Sequence, residues 1–221
     1  MSRTVVITGA NRGIGLSFTR LYQEQGCSVF AVCRKASSEL INLGVNVIDD
    51  VDVTSPQGLK RLVSELKDTK IDLLINNAGI LRNEVLGEID ESTILQQFQT
   101  NALAPVLVTE ALMSSLAKGA KVALITSRMG SVTDNTSGGR YGYRMSKAAL
   151  NIAGVSLAHD MKPLSISVAI LHPGLVGTDM IGGTGDITPD EAAERLSHRI
   201  EQLNLSNSGT FWHSNGEVLP W

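Results

Sequence analysis

Short apolar runs rich in Val, Ile and Leu alternate along the chain with longer stretches whose apolar residues recur every three or four positions. The first pattern marks buried strands, and the second marks helices with a covered face. Positions 4–8 read as a strand and 14–25 as a helix stopped by Gly26, which suits the left-handed residue after a helix end. Strands follow at 28–33 and 45–48, and the stretch 34–44 leaves little room for a full helix. A helix is predicted over 56–67, capped by Thr54 or Ser55, with Pro56 in its first turn. Next come a strand at 71–75, a long helix over 92–117, a strand at 121–126, a helix over 142–161 and a strand at 164–171. A helix over 189–203, capped by Thr188 with Asp190 and Glu191 in its first turn, precedes a short strand at 210–212. Apolar strands alternating with helices predict an α/β fold, a doubly wound parallel sheet with helices on both faces. No linker, charge block or internal repeat divides 1–221, so one domain is expected.

Composition narrows the function. The chain has 221 residues, enough for one full core and few for two. Its net charge of -3 argues against nucleic-acid partners, which demand a basic surface. Cys27 and Cys33 would lie too far apart on one extended segment to bridge, and free thiols fit a reducing compartment. His159, His172, His198 and His213 show no metal-ligand spacing, so no metal is expected. The chain shows no signal-peptide pattern and no apolar run near ~18 residues, so a cytoplasmic protein without membrane spans is expected.

Chemistry enters at the first strand-helix junction. Glycines at 9, 13 and 15 stand in Thr8-Gly-Ala-Asn-Arg-Gly-Ile-Gly15. Such a loop lets the chain turn sharply, admits a pyrophosphate close to the backbone and aims helix N-terminal amides at negative charge. This predicts a Rossmann-like dinucleotide site, with Gly9, Asn11, Arg12, Gly13, Ile14 and Gly15 as cofactor contacts. After the second strand, where NAD sites usually carry a carboxylate, stand Arg34 and Lys35. With Arg12, the Arg34 guanidinium suits a ribose 2′-phosphate, so the expected cofactor is NADPH/NADP+.

Tyr143 and Lys147 stand four residues apart in a predicted helix, on one face. A phenol loses its proton near pH ~10. A lysine cation beside it is expected to favour the phenolate and lower that value. The pair is a candidate proton donor to a carbonyl or acceptor from an alcohol.

Together with Asp52-Val53, Asn76-Asn-Ala-Gly79, Asn101, Ser127 and His172-Pro-Gly-Leu-Val-Gly-Thr178, these motifs resemble the short-chain dehydrogenase/reductase family over nearly the whole chain. Within it the chain is similar to the small carbonyl reductases that include sniffer and the bacterial C-factor proteins. The resemblance implies that Tyr143 is the catalytic acid/base and that Lys147 lowers its pKa and binds the nicotinamide ribose. It implies that Ser127 hydrogen-bonds the substrate carbonyl, and that Asn101, inside the long helix, holds a water leading from Lys147 to solvent. Asp52 and Val53 would meet the adenine, and Asn77, Ala78 and Gly79 would line the cofactor floor. Pro173, Gly174, Val176 and Thr178 would contact the nicotinamide. Two departures stand out. Sixteen residues separate Ser127 from Tyr143, a few more than usual, and the segment between Thr178 and Thr188 is short and glycine-rich, which suggests an open pocket. The expected function is NADPH-dependent reduction of a small-molecule carbonyl compound; a dinucleotide-binding signalling protein is the alternative. Apolar residues on more than one face of the long helix and the Tyr143 helix suggest a homodimer.

Overall fold

The computed structural model describes residues 2–221. Its strands are β1 (Thr4–Thr8), β2 (Ser28–Val32), β3 (Asn46–Ile48), β4 (Ile71–Asn76), β5 (Leu116–Ile125), β6 (Ser167–His172) and β7 (Phe211–His213). They form one sheet in the order β3-β2-β1-β4-β5-β6-β7, and every neighbouring pair is parallel. The winding reverses between β1 and β4. At that switch point the loops leaving the strands splay apart, and open α/β sheets bind ligands there.

The helices are α1 (Gly13–Glu24), α2 (Ser38–Asn42), α3 (Pro56–Leu66), α4 (Glu91–Phe98), α5 (Ala104–Leu112), α6 (Tyr141–Met161) and α7 (Pro189–Gln202). Side chains alternate across β1, so Val5 and Ile7 enter one core and Val6 the other. The first core joins the sheet to Phe18 and Tyr22 of α1 and Leu196 and Ile200 of α7. The second joins it to Leu62 of α3, Val108 of α5 and Leu150 of α6. Both faces are thus covered, as the apolar strands predict. Among the described residues, no helix is long and apolar enough to cross a membrane.

The helix signals read from the sequence act as expected at several ends. Ser55 Oγ, rather than Thr54, caps α3 by accepting from the Gly58 amide at 2.9 Å. Thr188 Oγ1 caps α7 through the Glu191 amide at 3.2 Å. Gly26 follows α1 at φ 76°.

The long helix expected over 92–117 is divided. A wide π-helical turn, Gln99–Leu103, separates α4 from α5, and a 3-10 turn, Met113–Ser115, ends the run. Pro105 has no amide to return to the carbonyl four residues earlier, so the ladder must shift near it. β5 begins at Leu116, five residues earlier than expected, because Leu116 pairs with Ile71 before the register shifts to pair Lys121 with Leu73. β6 begins at Ser167 rather than 164, because a 3-10 turn around Pro163 and the left-handed Ser165 (φ 59°) occupy the intervening chain.

Candidate active site

A cleft of about 420 Å³ opens beyond the C-terminal ends of β1, β2 and β4. Its floor is built by the glycine loop seated on the β4 exit. Gly9 adopts φ 67°, and a Cβ there would stand 2.8 Å from Ala78 Cα. Asn77 Nδ2 donates to the carbonyls of Thr8 (3.1 Å) and Gly9 (3.2 Å). Thr8 Oγ1 accepts from the amides of Asn77 (3.0 Å) and Ala78 (3.1 Å). The Asn77 side chain therefore holds the loop's shape, and Asn77, Ala78 and Gly79 reach the cleft wall as expected. Gly13 (φ 53°) opens α1 beside Thr178, so amides at the helix start face the cleft.

Most expected cofactor residues lie on this wall: Gly9, Asn11, Arg12, Gly13, Ile14, Arg34, Asp52, Val53, Pro173 and Thr178. Gly15 does not. A Cβ there would collide with the Gly9 carbonyl, so this glycine lets α1 pack under the loop. Gly174 and Val176 also stand behind the wall. Gly174 (φ 96°) faces Ile187 and His213, and Val176 is buried and bridges to Ile187. Val51, Arg82 and Asp179 contribute to the wall without having been singled out in the sequence. They carry no motif of their own, and only the sheet brings their loops together.

Arg34 and Arg12 are exposed at this cleft. Arg12 Nη1 lies 3.8 Å from Asp179 Oδ2, with both groups largely in solvent. Burial raises the Asp52 carboxyl pKa, but hydrogen bonds from Thr54 and the Arg34 charge more than offset it, and the group lies below its usual range.

At the inner end stand Tyr143 and Lys147, both buried. Lys147 Nζ donates to the Ile125 carbonyl at 2.9 Å and lies 5.6 Å from the Tyr143 ring centroid. Burial lowers the Lys147 pKa to about 8. Burial raises that of Tyr143, while the Ser127 hydroxyl and the Arg140 charge pull it down. This corrects the expectation of a phenol made acidic by Lys147. The phenol is shielded from water, and the desolvation of its anion outweighs the Ser127 hydrogen bond and the Arg140 charge.

Ser127 and Asn101 stand behind the wall. Ser127 follows β5, and its Oγ accepts from the Met129 amide at 3.1 Å, which leaves the hydroxyl proton free to be given. Gly130 lets this turn rest on α6, because a Cβ there would lie 2.6 Å from the Lys147 carbonyl carbon. Asn101 sits in the π-helical turn rather than in a continuous helix. Its Oδ1 accepts from the Ile80 amide at 2.8 Å, and its Nδ2 donates to the Ile80 carbonyl (2.8 Å) and Ser146 Oγ (3.0 Å). Asn101 Oδ1 and Lys147 Nζ both lie close to the Gly79 Cα, within 3.3 and 3.8 Å of where a Cβ would stand.

The segment after β6 folds on itself, and it reaches the wall only through Pro173 and residues 178–180. Gly183 donates to the Thr178 carbonyl (2.9 Å) and Asp186 to that of Leu175 (2.8 Å), leaving Leu175 and Met180 exposed. Ser214 Oγ fixes the start of the segment by donating to the Pro173 carbonyl at 2.8 Å.

The sequence matches the short chain dehydrogenase family over residues 3–188. It is 40% identical over 224 residues to the 1-hydroxy-2-glutathionyl-2-methyl-3-butene dehydrogenase of Rhodococcus sp. (strain AD45), covering 99% of each chain. It is 42% identical over 154 residues to C-signal of Myxococcus xanthus, covering 68% of this chain and 93% of that one. Among solved structures, the NADPH-bound carbonyl reductase from chicken fatty liver superposes with a TM-score of 0.89 at 30% identity, covering 100% of this chain and 99% of that one.

Proposed function

The chain belongs to the short-chain dehydrogenase family, and on that premise we propose that it reduces small carbonyl compounds with NADPH. The observation that carries the reading is a single cleft whose wall holds the glycine loop and Arg34 at one end and Tyr143 with Lys147 at the other. The residues present fit the cofactor. The glycine loop and the amides at the start of α1 line the cleft, and the exposed guanidiniums of Arg12 and Arg34 suit a 2′-phosphate. The NADPH-bound relative supports the same choice.

Bound NADPH would supply the hydride to the carbonyl carbon. Tyr143 would give its phenolic proton to the carbonyl oxygen, and burial keeps that proton in place until the oxygen gains charge. Ser127 Oγ–H would stabilise the same oxygen. Lys147, charged below about pH 8, would stabilise the phenolate left behind and hold the nicotinamide ribose. Asn101 would fix the β4 exit loop through Ile80 and keep the route from Lys147 to solvent in shape. Pro173 and Thr178 would flank the nicotinamide. Two unpaired cysteines support a cytoplasmic setting. Exposed Leu103, Met145 and Ile152 on the outer faces of the helical layer support a homodimer.

C-signal favours a second reading, a dinucleotide-binding signalling protein with little turnover. The set Asn101, Ser127, Tyr143 and Lys147 counts against it, since binding alone has no need of a proton donor.

The test is turnover of purified protein with aldehydes, ketones and quinones, using NADPH and NADH in parallel. A charged hydrogen bond contributes about 1.5–3 kcal/mol, or roughly 10- to 150-fold. The wild type should prefer NADPH by at least about tenfold on that scale, and Arg34→Asp should reverse the preference. Equal efficiency with both cofactors, or an unchanged ratio in Arg34→Asp, would remove the NADPH assignment. No turnover with any carbonyl would favour the signalling reading.

A further inference from the structure

Tyr143 lies in the first turn of α6, and that helix begins without a cap of its own. The chain enters it through Gly138, Gly139 and Arg140, at φ 62°, 63° and 51°. Arg140 occupies the cap position in a left-handed conformation, and its side chain bonds no helix amide. The first four amides of a helix have no partner within it, and leaving one buried and unpaired costs about 1–3 kcal/mol. Without a side-chain cap from Arg140, this deficit falls on the turn that carries Tyr143.

Glu84 fills it from outside the helix. Its Oε2 accepts from the Gly142 amide at 3.1 Å, the residue immediately before Tyr143. Its Oε1 accepts from Thr93 Oγ1 (3.0 Å) and Gln97 Nε2 (2.5 Å), both on α4. Its backbone carbonyl accepts from the Arg140 amide at 3.0 Å. Gln97 in turn accepts from the Arg82 amide at 2.9 Å. Glu84 and Gln97 are buried, and Glu84 takes part in none of the ion pairs among the described residues. A carboxylate is favoured by the helix dipole at this end, and the Gly142 contact is charge-assisted. The fit is close: a Cβ on Gly142 would collide with Gln97 Nε2 and stand 3.0 Å from Ile94 Cα.

We propose that Glu84 is a positioning residue for the reductase reaction, capping α6 from across the fold and setting the place of Tyr143 against Ser127. The proposal rests on reading Tyr143 as the proton donor. Lys147 lies one turn further along and is anchored separately by the Ile125 carbonyl. Glu84 is not on the wall of the cleft. Losing Glu84 therefore acts on the Tyr143 turn, while Lys147 and the glycine loop keep their separate anchors. Glutamine is a graded test: it keeps the shape but offers one acceptor oxygen to donors that now meet two.

The experiment compares Glu84→Ala and Glu84→Gln with wild type, using an aromatic diketone as probe substrate. kcat, the KM for NADPH and the ¹³Cζ spectrum of labelled tyrosine are measured. The chain has three tyrosines, so Tyr143→Phe assigns the Tyr143 signal. Misplacement by about 1 Å can cost ~100-fold in rate, so kcat should fall at least ~10-fold in Glu84→Ala and less in Glu84→Gln. The KM for NADPH should stay within about twofold, since the glycine loop and Lys147 keep anchors that do not involve Glu84. The Tyr143 signal should shift or broaden while that of Tyr22 stays put. If Glu84→Ala does not fold, Glu84→Gln decides alone. An unmoved Tyr143 signal with kcat near wild type, or a KM for NADPH that changes in step with kcat, overturns the proposal. Should wild type reduce no carbonyl, the reductase reading fails separately. The tyrosine spectrum then still decides whether Glu84 positions Tyr143.

Discussion

His172 stands at the end of β6 with its ring edge-on to His213, centroids 4.9 Å apart, and its Nδ1 has no hydrogen-bond partner. Burial first, then the charges of His213, Arg128 and Lys147, push its pKa from 6.5 to about 3. Between those values the unfolded chain binds a proton that the folded chain refuses, so stability falls as pH drops through that window. Denaturant unfolding at pH 7.5 and 4.5 measures this. Wild type should lose about 2–3 kcal/mol more than His172→Asn over that interval. Equal losses would mean that His172 is not held neutral by the fold. The sequence alone does not show that His172 is buried, because burial depends on β7 arriving beside β6. Tyr143, Lys147, Arg12 and Arg34 are legible earlier, since their spacing and chemistry lie in short segments. The direction of the Tyr143 shift is not, because a neighbouring lysine can be read from the chain and the depth of burial cannot.

α4 and α5 show how an element can be recognised and its interior missed. The apolar period runs on through 92–117, and a five-residue wide turn only shifts its phase. Pro105 was the available signal, and the consequence is functional, because the wide turn presents Asn101 to Ile80 and Ser146. The short turn after β5 carries similar weight. Gly130 rests on the α6 backbone at Lys147, with Ala148 N 2.7 Å from where a Cβ would stand. Gly130→Ala must push Ser127 away from Tyr143 or tilt α6, and overpacking of this kind costs about 1–3 kcal/mol. The variant should remain folded and lose at least ~10-fold in kcat. An unchanged kcat would show that the Ser127 turn does not depend on this contact. The expected strands and helices were otherwise placed by apolar runs, Gly26, Ser55 and Thr188, which are local signals.

The molecule as a whole follows from the alternation of strands and helices, which fixes a parallel sheet and puts the cleft at its winding reversal. What covers the outer face of the helices is a separate matter. Leu103, Met145 and Ile152 are exposed there at 44%, 54% and 66%. The proposed homodimer predicts a light-scattering mass twice that of the 23.6 kDa chain at micromolar concentration, and the proposed single domain a single unfolding transition. A mass near one chain would exclude the dimer, and two resolved transitions would exclude the single domain. The central claim is that the cleft reduces carbonyls with Tyr143 as proton donor. Its most direct test is Tyr143→Phe, with kcat for carbonyl reduction and the dissociation constant of NADPH measured on the same preparation. General acid catalysis contributes roughly 100- to 10,000-fold, so kcat should fall by that order while NADPH affinity stays within about twofold. A variant that kept more than about a tenth of the wild-type rate would contradict the claim.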